Sequence, residues 1–220
     1  MEPTVSIFSG FAFKDLAFLG EAALRTLWIS ALSITLGTIL GVVFGWLLFE
    51  GKLVATLTIA PILDVFRSVP LIIQLVLFYN FAPIAGLNLD PFASGAVILT
   101  AYTAALVANV ARGGFEAVGA PMRRAARSLG MTYWQDMRFV VLPIGGRAVF
   151  PSWVGVTLGV MKDSALVSVL GYVELLKASQ ILITRTQEPF LILTIAGAFY
   201  FALSYPISRY AASLEKRWAQ

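Results

Sequence analysis

Long runs of uncharged, mostly apolar residues divide the chain into predicted membrane-spanning segments. Between Arg25 and Glu50 lie 24 uncharged residues. As a helix they extend about 36 Å, which exceeds the roughly 30 Å hydrocarbon core of a bilayer. Four further runs complete a prediction of five spans, at residues 68–89, 91–111, 139–161 and 189–208. Residues 53–63 are predicted to form either an interfacial helix or the slanted start of the second span.

The segments that flank the spans carry weaker patterns. Four phenylalanines near the N-terminus favour an aromatic segment at the membrane interface, with a frayed leader as the alternative; they are Phe8, Phe11, Phe13 and Phe18. Residues 167–183 place charged and polar residues among aliphatic ones. This pattern predicts a short external helix, with a re-entrant segment packed within the bundle as the alternative.

Glycines recur at a fixed interval in the first span. Gly37, Gly41 and Gly45 are four residues apart and therefore lie on one helix face. Such a stripe of small residues permits close approach of a neighbouring helix and predicts a packing seam. The alternative is the ordinary enrichment of glycine in membrane helices.

Composition excludes most soluble and catalytic classes. Of 220 residues, 59% are hydrophobic and only 13% are charged, whereas soluble domains average about 25% charged. Cysteine and histidine are both absent, which removes disulfides, thiolate or imidazole metal sites and Ser-His-Asp catalysis. The fold class is therefore an all-α polytopic membrane protein of about five transmembrane helices, forming one domain over residues 1–220. We expect no catalytic residues and no metal site.

The distribution of lysine and arginine predicts the orientation of the spans. With five spans the two termini lie on opposite sides of the membrane. Eleven of the 16 basic residues then fall on one side and five on the other. Because basic residues concentrate in cytoplasmic loops, we expect the N-terminus outside and the C-terminus in the cytoplasm.

The longest polar insertion between spans is Arg112–Arg138. Glycine and proline before residue 122 mark a helix start, residues 122–129 are good helix formers, and Gly130 is placed to end the helix. Thr132 is placed to cap a second short helix that begins near Tyr133. The loop is therefore predicted to form a helix, a glycine turn and a second helix on the cytoplasmic face.

The first helix of this loop has a small apolar face among arginines. Ala125, Ala126 and Leu129 form this face. An apolar face without an evident core invites a protein partner. The alternative is a basic loop that binds anionic lipid head groups.

Several motifs of the chain resemble those of permease subunits of ATP-binding-cassette importers. The sequence RAARSLG at 124–130, followed by Leu142-Pro143, is similar to their EAA loop. Three further segments resemble the polar amino-acid branch: FRSVPLIIQLVLFY at 66–79, ARGGFEAV at 111–118 and MKDSALVSVLGYVELL at 161–176. The resemblance covers about residues 20–217. One departure is Arg124, which stands where the family usually has glutamate.

This resemblance implies a type I importer permease in the bacterial inner membrane that carries a polar amino acid or a related solute such as an opine. A separate ATPase subunit would bind ATP and Mg²⁺, since the chain itself has no phosphate-binding G-x-x-x-x-G-K-[ST] loop and is expected to bind no cofactor. An external solute-binding protein would deliver substrate. A second permease subunit would complete the pathway, and Arg124 favours a heterodimer over a homodimer. Membrane lipid surrounds the spans, and no nucleic-acid partner is expected.

The resemblance also implies which residues couple the permease to its ATPase. The loop helix would rest in a cleft of the ATPase. The coupling residues would be Arg123, Arg124, Ala125, Ala126, Arg127, Leu129 and Gly130. A motor-independent channel or scaffold subunit, the competing class, needs no such loop.

Ionisable residues at membrane depth are costly and are functional candidates by default. Asp163, at the outer end of the fourth span, is the best candidate to meet a substrate ammonium group, with Ser164 adding hydrogen bonds. Lys162 is a further substrate-pathway candidate beside them. The alternative is that Lys162 and Asp163 pair with their neighbours near the interface and only shape the loop. Further candidates for the same cavity, for which interhelical hydrogen bonding is the alternative, are Gln74, Tyr102, Thr103 and Asn109.

Overall fold

The computed structural model describes residues 10–218, and of Lys52 it describes the backbone alone. The described chain is helical, and short 3-10 segments follow α3 and α7. The nine α-helices of this part of the chain are α1 (Phe13–Glu50), α2 (Lys52–Ser68), α3 (Leu71–Phe81), α4 (Pro91–Ala117), α5 (Ala120–Ser128), α6 (Tyr133–Asp136), α7 (Leu142–Asp163), α8 (Leu175–Thr186) and α9 (Pro189–Trp218).

Four helical stretches of the described chain are long and apolar enough to cross a membrane: α1, α4, the stretch Tyr133–Leu170 and α9. A fifth crossing is obtained if α2 and α3 form one span. The sequence therefore predicts the number and order of spans well. Many large apolar side chains, including Ile39, Val43 and Leu57, remain exposed on the bundle, as expected for a surface that faces lipid.

The first span is longer than the sequence predicts. Helix α1 begins at Phe13 rather than Thr26 and runs for 38 residues. Charged residues before Thr26 do not interrupt it, because Asp15 accepts a hydrogen bond from the Ala12 amide and pairs with Arg185 at the far end of α8. A run of uncharged residues marks where the apolar stretch begins, but not where the helix begins.

The predicted second span, residues 68–89, is wrong as a single helix. The helices α2 and α3 meet at an angle of 105°. Pro70 lacks an amide hydrogen and disfavours helical backbone at the preceding Val69, whose φ of −82° and ψ of 131° are extended. Helix α3 has only 11 residues, about 16 Å. Residues 53–63 thus lie within α2, which forms a sharply bent helix pair with α3.

The predicted fourth span begins earlier than residue 139. Helix α6 continues through a π-helical turn, Met137–Val141, directly into α7. Pro143 cannot donate a hydrogen bond to the carbonyl four residues before it, and the wider π turn precedes it. The second helix of the Arg112–Arg138 loop is therefore continuous with the fourth span and is not a separate surface helix.

The glycine seam predicted in the first span is confirmed. Helices α1 and α4 form the most extensive helix pair of the bundle. A Cβ atom added to Gly37 would lie 2.5 Å from Cβ of Thr103, and one added to Gly41 would lie 2.6 Å from Cβ of Val107. No side chain fits at that spacing, so glycine sets the distance between the two helices.

The segment after α7 folds back onto the bundle. A 3-10 segment, Ser164–Leu170, leads into α8, which begins later than the predicted helix at 167–183. Leu175, Ala178 and Leu182 are buried against α1 and α9. The amphipathic pattern therefore predicts a helix correctly, and its apolar face is covered by the chain itself.

The predicted aromatic segment at the N-terminus falls partly outside the described residues, since Phe8 precedes residue 10. Within the described part, Phe11 and Phe18 pack against the cluster around Leu19 and Leu175. Phe13 is exposed. Two of the four phenylalanines thus contribute to the core between α1 and α8.

Candidate functional site

Helix α5 lies at the end of the bundle where α1 ends and α7 begins. It starts two residues before the predicted position 122, with Pro121 in its first turn. At its other end Gly130 has a φ of +85°, a left-handed conformation that favours glycine. The Met131 amide donates to the Ala126 carbonyl and closes the helix end. The predicted helix and its glycine stop are confirmed.

The next turn is also as the sequence predicts. The Thr132 hydroxyl accepts a hydrogen bond from the Gln135 amide at 3.4 Å, and the Gln135 side chain accepts from the Thr132 amide at 2.8 Å. This reciprocal pair is a capping box, which fixes where α6 begins. The position of α5 relative to α7 is thereby set by two short, well-defined turns.

The predicted coupling residues differ in exposure. Ala126 is buried, whereas Arg124, Ala125, Arg127 and Leu129 are exposed, and Leu129 is 82% exposed. An exposed leucine beside an exposed alanine and two arginines presents an apolar ridge with a basic edge. A shallow pocket of about 220 Å³ opens beside this edge, and it is lined by Ala120, Arg123, Arg124 and Arg127.

Arg123 differs from the other arginines of α5 because it turns inward. Its side chain is only 16% exposed, and its Nε atom donates to Oδ2 of Asp136 at 2.9 Å. The guanidinium carbon lies 5.3 Å from the ring centroid of Phe49. The sequence predicts that Arg123 contacts the ATPase. The structure instead places its guanidinium against Phe49 of α1 and Asp136 of α6.

Sequence reasoning missed the partners of Arg123. The sequence pattern assigns Tyr133 to a short capped helix and Glu50 to the end of an uncharged run, and it gives no role to Asp136. The available signal was that the basic loop holds two carboxylates, Glu116 and Asp136, each of which is favoured to pair with one of the loop arginines.

Among the predicted pathway residues, Asp163 and Tyr102 are close enough for their side chains to interact electrostatically. Asp163 is half-buried at the end of α7. Asn109 is seven residues after Tyr102 and is exposed on the same face of α4. The structure thus groups these three residues along one side of the α4–α7 pair.

Lys162 lies on a different side of α7 from Asp163. It lines an open pocket of about 440 Å³ together with Leu176 of α8 and with Tyr200 and Ser204 of α9. Adjacent residues of a helix point about 100° apart. Lys162 and Asp163 therefore point to different sides of α7 in this chain, and the substrate-pathway role of each stays a prediction.

The remaining pathway candidates are occupied by structural hydrogen bonds. The Gln74 amide donates to the carbonyls of Phe66 and Val69 and braces the bend between α2 and α3. The Thr103 hydroxyl donates to Leu99 within α4, against the glycine seam. Ser164 is fully buried and accepts from Ser30. For Gln74, Thr103 and Ser164 the structure therefore favours hydrogen bonding within and between helices over contact with a substrate.

A further ion pair lies in α2, close to its C-terminal end. Arg67 forms an ion pair with Asp64 one turn earlier in α2. The pair lies next to the bend at Pro70, where the arginine side chain remains 27% exposed. Their mutual neutralisation explains how two charges occur inside a broken span.

A family comparison agrees with this architecture. Residues 33–220 match the model of the binding-protein-dependent transport system inner membrane component. The chain belongs to this family. It is thus a multi-pass permease subunit and not an enzyme, and the resemblance inferred from its motifs is confirmed.

Curated relatives of this permease match along nearly its whole length. The probable glutamine ABC transporter permease protein GlnP of Bacillus subtilis is 30% identical over 212 residues, which cover 94% of this chain and 96% of the relative. The glutamine transport system permease protein GlnP of Escherichia coli is 28% identical over 199 residues, which cover 90% of this chain and 91% of the relative. A second Bacillus subtilis protein, the probable glutamine ABC transporter permease protein GlnM, is 34% identical over 69% of this chain and 70% of its own.

Solved structures confirm the fold class. A permease chain from the crystal structure of an amino acid ABC transporter with histidines superposes with a TM-score of 0.84 at 29% identity, covering 93% of this chain and 95% of that chain. The inward-facing MetNI methionine ABC transporter gives a TM-score of 0.77 at 21% identity and supports the fold alone. The fold is that of type I importer permeases.

Proposed function

We propose that this permease carries a polar amino acid of the glutamine class inward across the cytoplasmic membrane, driven by ATP hydrolysis on a separate subunit. The observation that carries the proposal is the match along nearly the whole chain to permeases named for glutamine transport. The half-buried Asp163 supports it, since a carboxylate in a region of low dielectric attracts the ammonium group that every amino acid carries.

The partners follow from the exposed surfaces. The ridge of Ala125 and Leu129, edged by Arg124 and Arg127, suits a cytoplasmic ATPase that holds ATP and Mg²⁺ in its own site. An external solute-binding protein would deliver the amino acid at the opposite end of the bundle, beside α8. A second permease subunit would complete the pathway, and the basic Arg124 leads us to favour a heterodimer.

The orientation is part of the proposal. If α5 faces the cytoplasm, the C-terminal end of α1 is cytoplasmic as well, because Tyr133 of α6 donates a hydrogen bond to Glu50 at 2.8 Å. The beginning of α1, near Asp15, then lies outside. This assignment agrees with the excess of basic residues on the same side as α5.

The test is uptake by the complex purified from native membranes and reconstituted in liposomes, with ATP inside and the solute-binding protein added outside. Radiolabelled glutamine is the probe, and unlabelled amino acids of other charge compete. We expect ATP-dependent uptake that Asp163→Asn lowers by about tenfold or more, since a charge-assisted hydrogen bond contributes about 1.5–3 kcal/mol.

The matched control is Asp90→Asn. Asp90 is an exposed carboxylate that caps α4 by accepting from the Ala93 amide at 2.8 Å, and asparagine caps a helix equally well. Uptake by Asp90→Asn should equal that of the wild type. Full uptake by Asp163→Asn would remove the substrate role of Asp163, and a wild-type complex that takes up no amino acid would overturn the proposed function.

A further inference from the structure

The side chain of Arg123, on α5, is surrounded by side chains of α1 and α6. Besides Asp136 of α6, it faces Glu50 of α1 with 4.0 Å between Nη2 and Oε1. The rings of Phe49 and Tyr133 lie on its guanidinium, at 5.3 Å and 6.0 Å. Such contacts add cation–π attraction to the ion pair. We call these five residues the Arg123 clasp.

The clasp is closed by a second layer of hydrogen bonds. The Tyr133 hydroxyl donates to Glu50 at 2.8 Å and accepts from the indole of Trp46 at 2.8 Å. Both Trp46 and Glu50 are on the last turns of α1. The aromatic side of the clasp is therefore tied to the end of the first span.

Arg123 is the hydrogen-bond and ion-pair partner of the Asp136 carboxylate. Its side chain has no exposed surface, and Oδ2 accepts from Arg123 while Oδ1 has no hydrogen-bond partner among the described residues. Burying a carboxylate is costly unless it is paired. Because α6 continues into α7, the Asp136 carboxylate that Arg123 neutralises lies at the beginning of the fourth span.

Short non-helical connections join α5 to the helices before and after it. Val118 and Gly119 precede it in extended conformation, and Gly130 follows it with a positive φ. In the part of the chain that the structure describes, Arg123 makes the only side-chain hydrogen bonds or ion pairs between α5 and another helix. Arg123 therefore provides the polar link by which movement of α5 can reach the spans, beside the cation–π contact of Arg127 with the Tyr133 ring at 5.9 Å and the burial of Ala126.

Resting on the proposed function, we infer that Arg123 is a positioning residue that transmits movement of α5 to the first and fourth spans, and that it is not a docking contact for the ATPase. Arg124 is one residue further, exposed, and on the edge of the apolar ridge. The two neighbouring arginines of α5 thus have different roles. Arg124 contacts the ATPase, and Arg123 connects α5 to the bundle.

The experiment compares Arg123→Met with Arg124→Met in the complex purified from native membranes. Two quantities are measured: the ATPase that co-purifies, and the ATP hydrolysed per glutamine taken up in liposomes. We expect Arg123→Met to retain the ATPase and to raise the ATP consumed per glutamine by about tenfold, a typical coupling effect. Arg124→Met should instead lower the amount of ATPase that co-purifies.

A double variant separates transmission from charge compensation. Arg123→Met with Asp136→Asn removes the buried charge as well as the link, so it should fold and remain uncoupled. Arg123→Lys keeps the charge but lacks the planar guanidinium group. Its ATP consumption per glutamine should therefore lie between those of the wild type and Arg123→Met. The inference is overturned if the double variant is fully coupled, if Arg123→Met loses the ATPase as Arg124→Met does, or if its ATP consumption per glutamine is unchanged.

A readout without substrate keeps this test independent of the proposed function. The chain has no cysteine, so Ala165→Cys in the pocket beside Lys162 is a unique thiol. Its rate of maleimide labelling should respond to ATP in the otherwise wild-type complex and not respond when Arg123→Met is added. An equal response in both would contradict the inference, even where no amino acid is transported.

Discussion

Glu174 shows how a single side chain holds three helices in this bundle. It has no exposed surface, and it caps α8 by accepting from the amides of Leu176 and Lys177 at 2.9 and 2.8 Å. It also accepts from Tyr200 of α9 at 3.1 Å and from Thr26 of α1 at 3.4 Å. The Glu174 carboxylate thereby accepts hydrogen bonds from α1, α8 and α9 together, while the Thr26 hydroxyl also lies 3.1 Å from the Ala22 carbonyl oxygen of its own helix.

Replacing Glu174 with glutamine should destabilise the permease. The new amide group is a donor that faces other donors, so at least one buried N–H or O–H loses its acceptor, at a cost of about 1–3 kcal/mol. The measurement is the fraction of folded complex in detergent after heating. Glu21→Gln is the matched control, because Glu21 is an exposed partner of Arg25 on α1. An equal loss in both variants would contradict this account.

At the scale of elements, the glycine seam sets the position of α1 on α4. A Cβ atom at Gly45 would lie 2.6 Å from the Ala108 carbonyl oxygen, so contact there is between backbones. Small residues allow this approach in membranes, where packing rather than the hydrophobic effect drives association of helices. Because α4 is also packed against α7, a shift at the seam would propagate to the fourth span.

Gly41→Ala tests the seam directly. The added methyl would lie 2.6 Å from Cβ of Val107 and 2.9 Å from the Ala104 carbonyl oxygen, and overpacking of this kind costs about 1–3 kcal/mol. We expect less folded permease in membranes and a lower temperature of unfolding in detergent. Gly20→Ala, in the same helix with no atom within 4 Å of the new Cβ, should show no loss. If Gly20→Ala were equally unstable, helix flexibility and not close packing would be the cause.

Spacing along the chain predicts features that depend on local helix geometry. The stripe at Gly37, Gly41 and Gly45 identified the face of α1 that meets α4, and Thr132 identified the start of α6. The number of uncharged residues gives the length of an apolar segment but not the direction of its helix axis, so it does not predict the bend at Pro70. The pairing of Arg123 with Asp136 was also missed, because it depends on where α1, α5 and α6 meet in three dimensions.

At the scale of the whole molecule, ion pairs stabilise both ends of the bundle. Arg185 of α8 pairs with Asp15 at the start of α1, and Arg123 of α5 pairs with Asp136 at the opposite end. Both carboxylates are almost fully buried. A permease that moves between inward and outward access can keep its ends intact in this way while the helices between them tilt.

The orientation of these two ends is testable with single cysteines, because the chain contains none. Glu188→Cys and Ser128→Cys place exposed thiols beside α8 and at the end of α5. In intact spheroplasts a membrane-impermeant maleimide should label Glu188→Cys alone, and Ser128→Cys should react only after the membrane is permeabilised. The positive control is equal labelling of both after detergent treatment. Labelling of Ser128→Cys in intact spheroplasts would place α5 outside, where it would be out of reach of a cytoplasmic ATPase, and coupling through Arg123 would then be impossible.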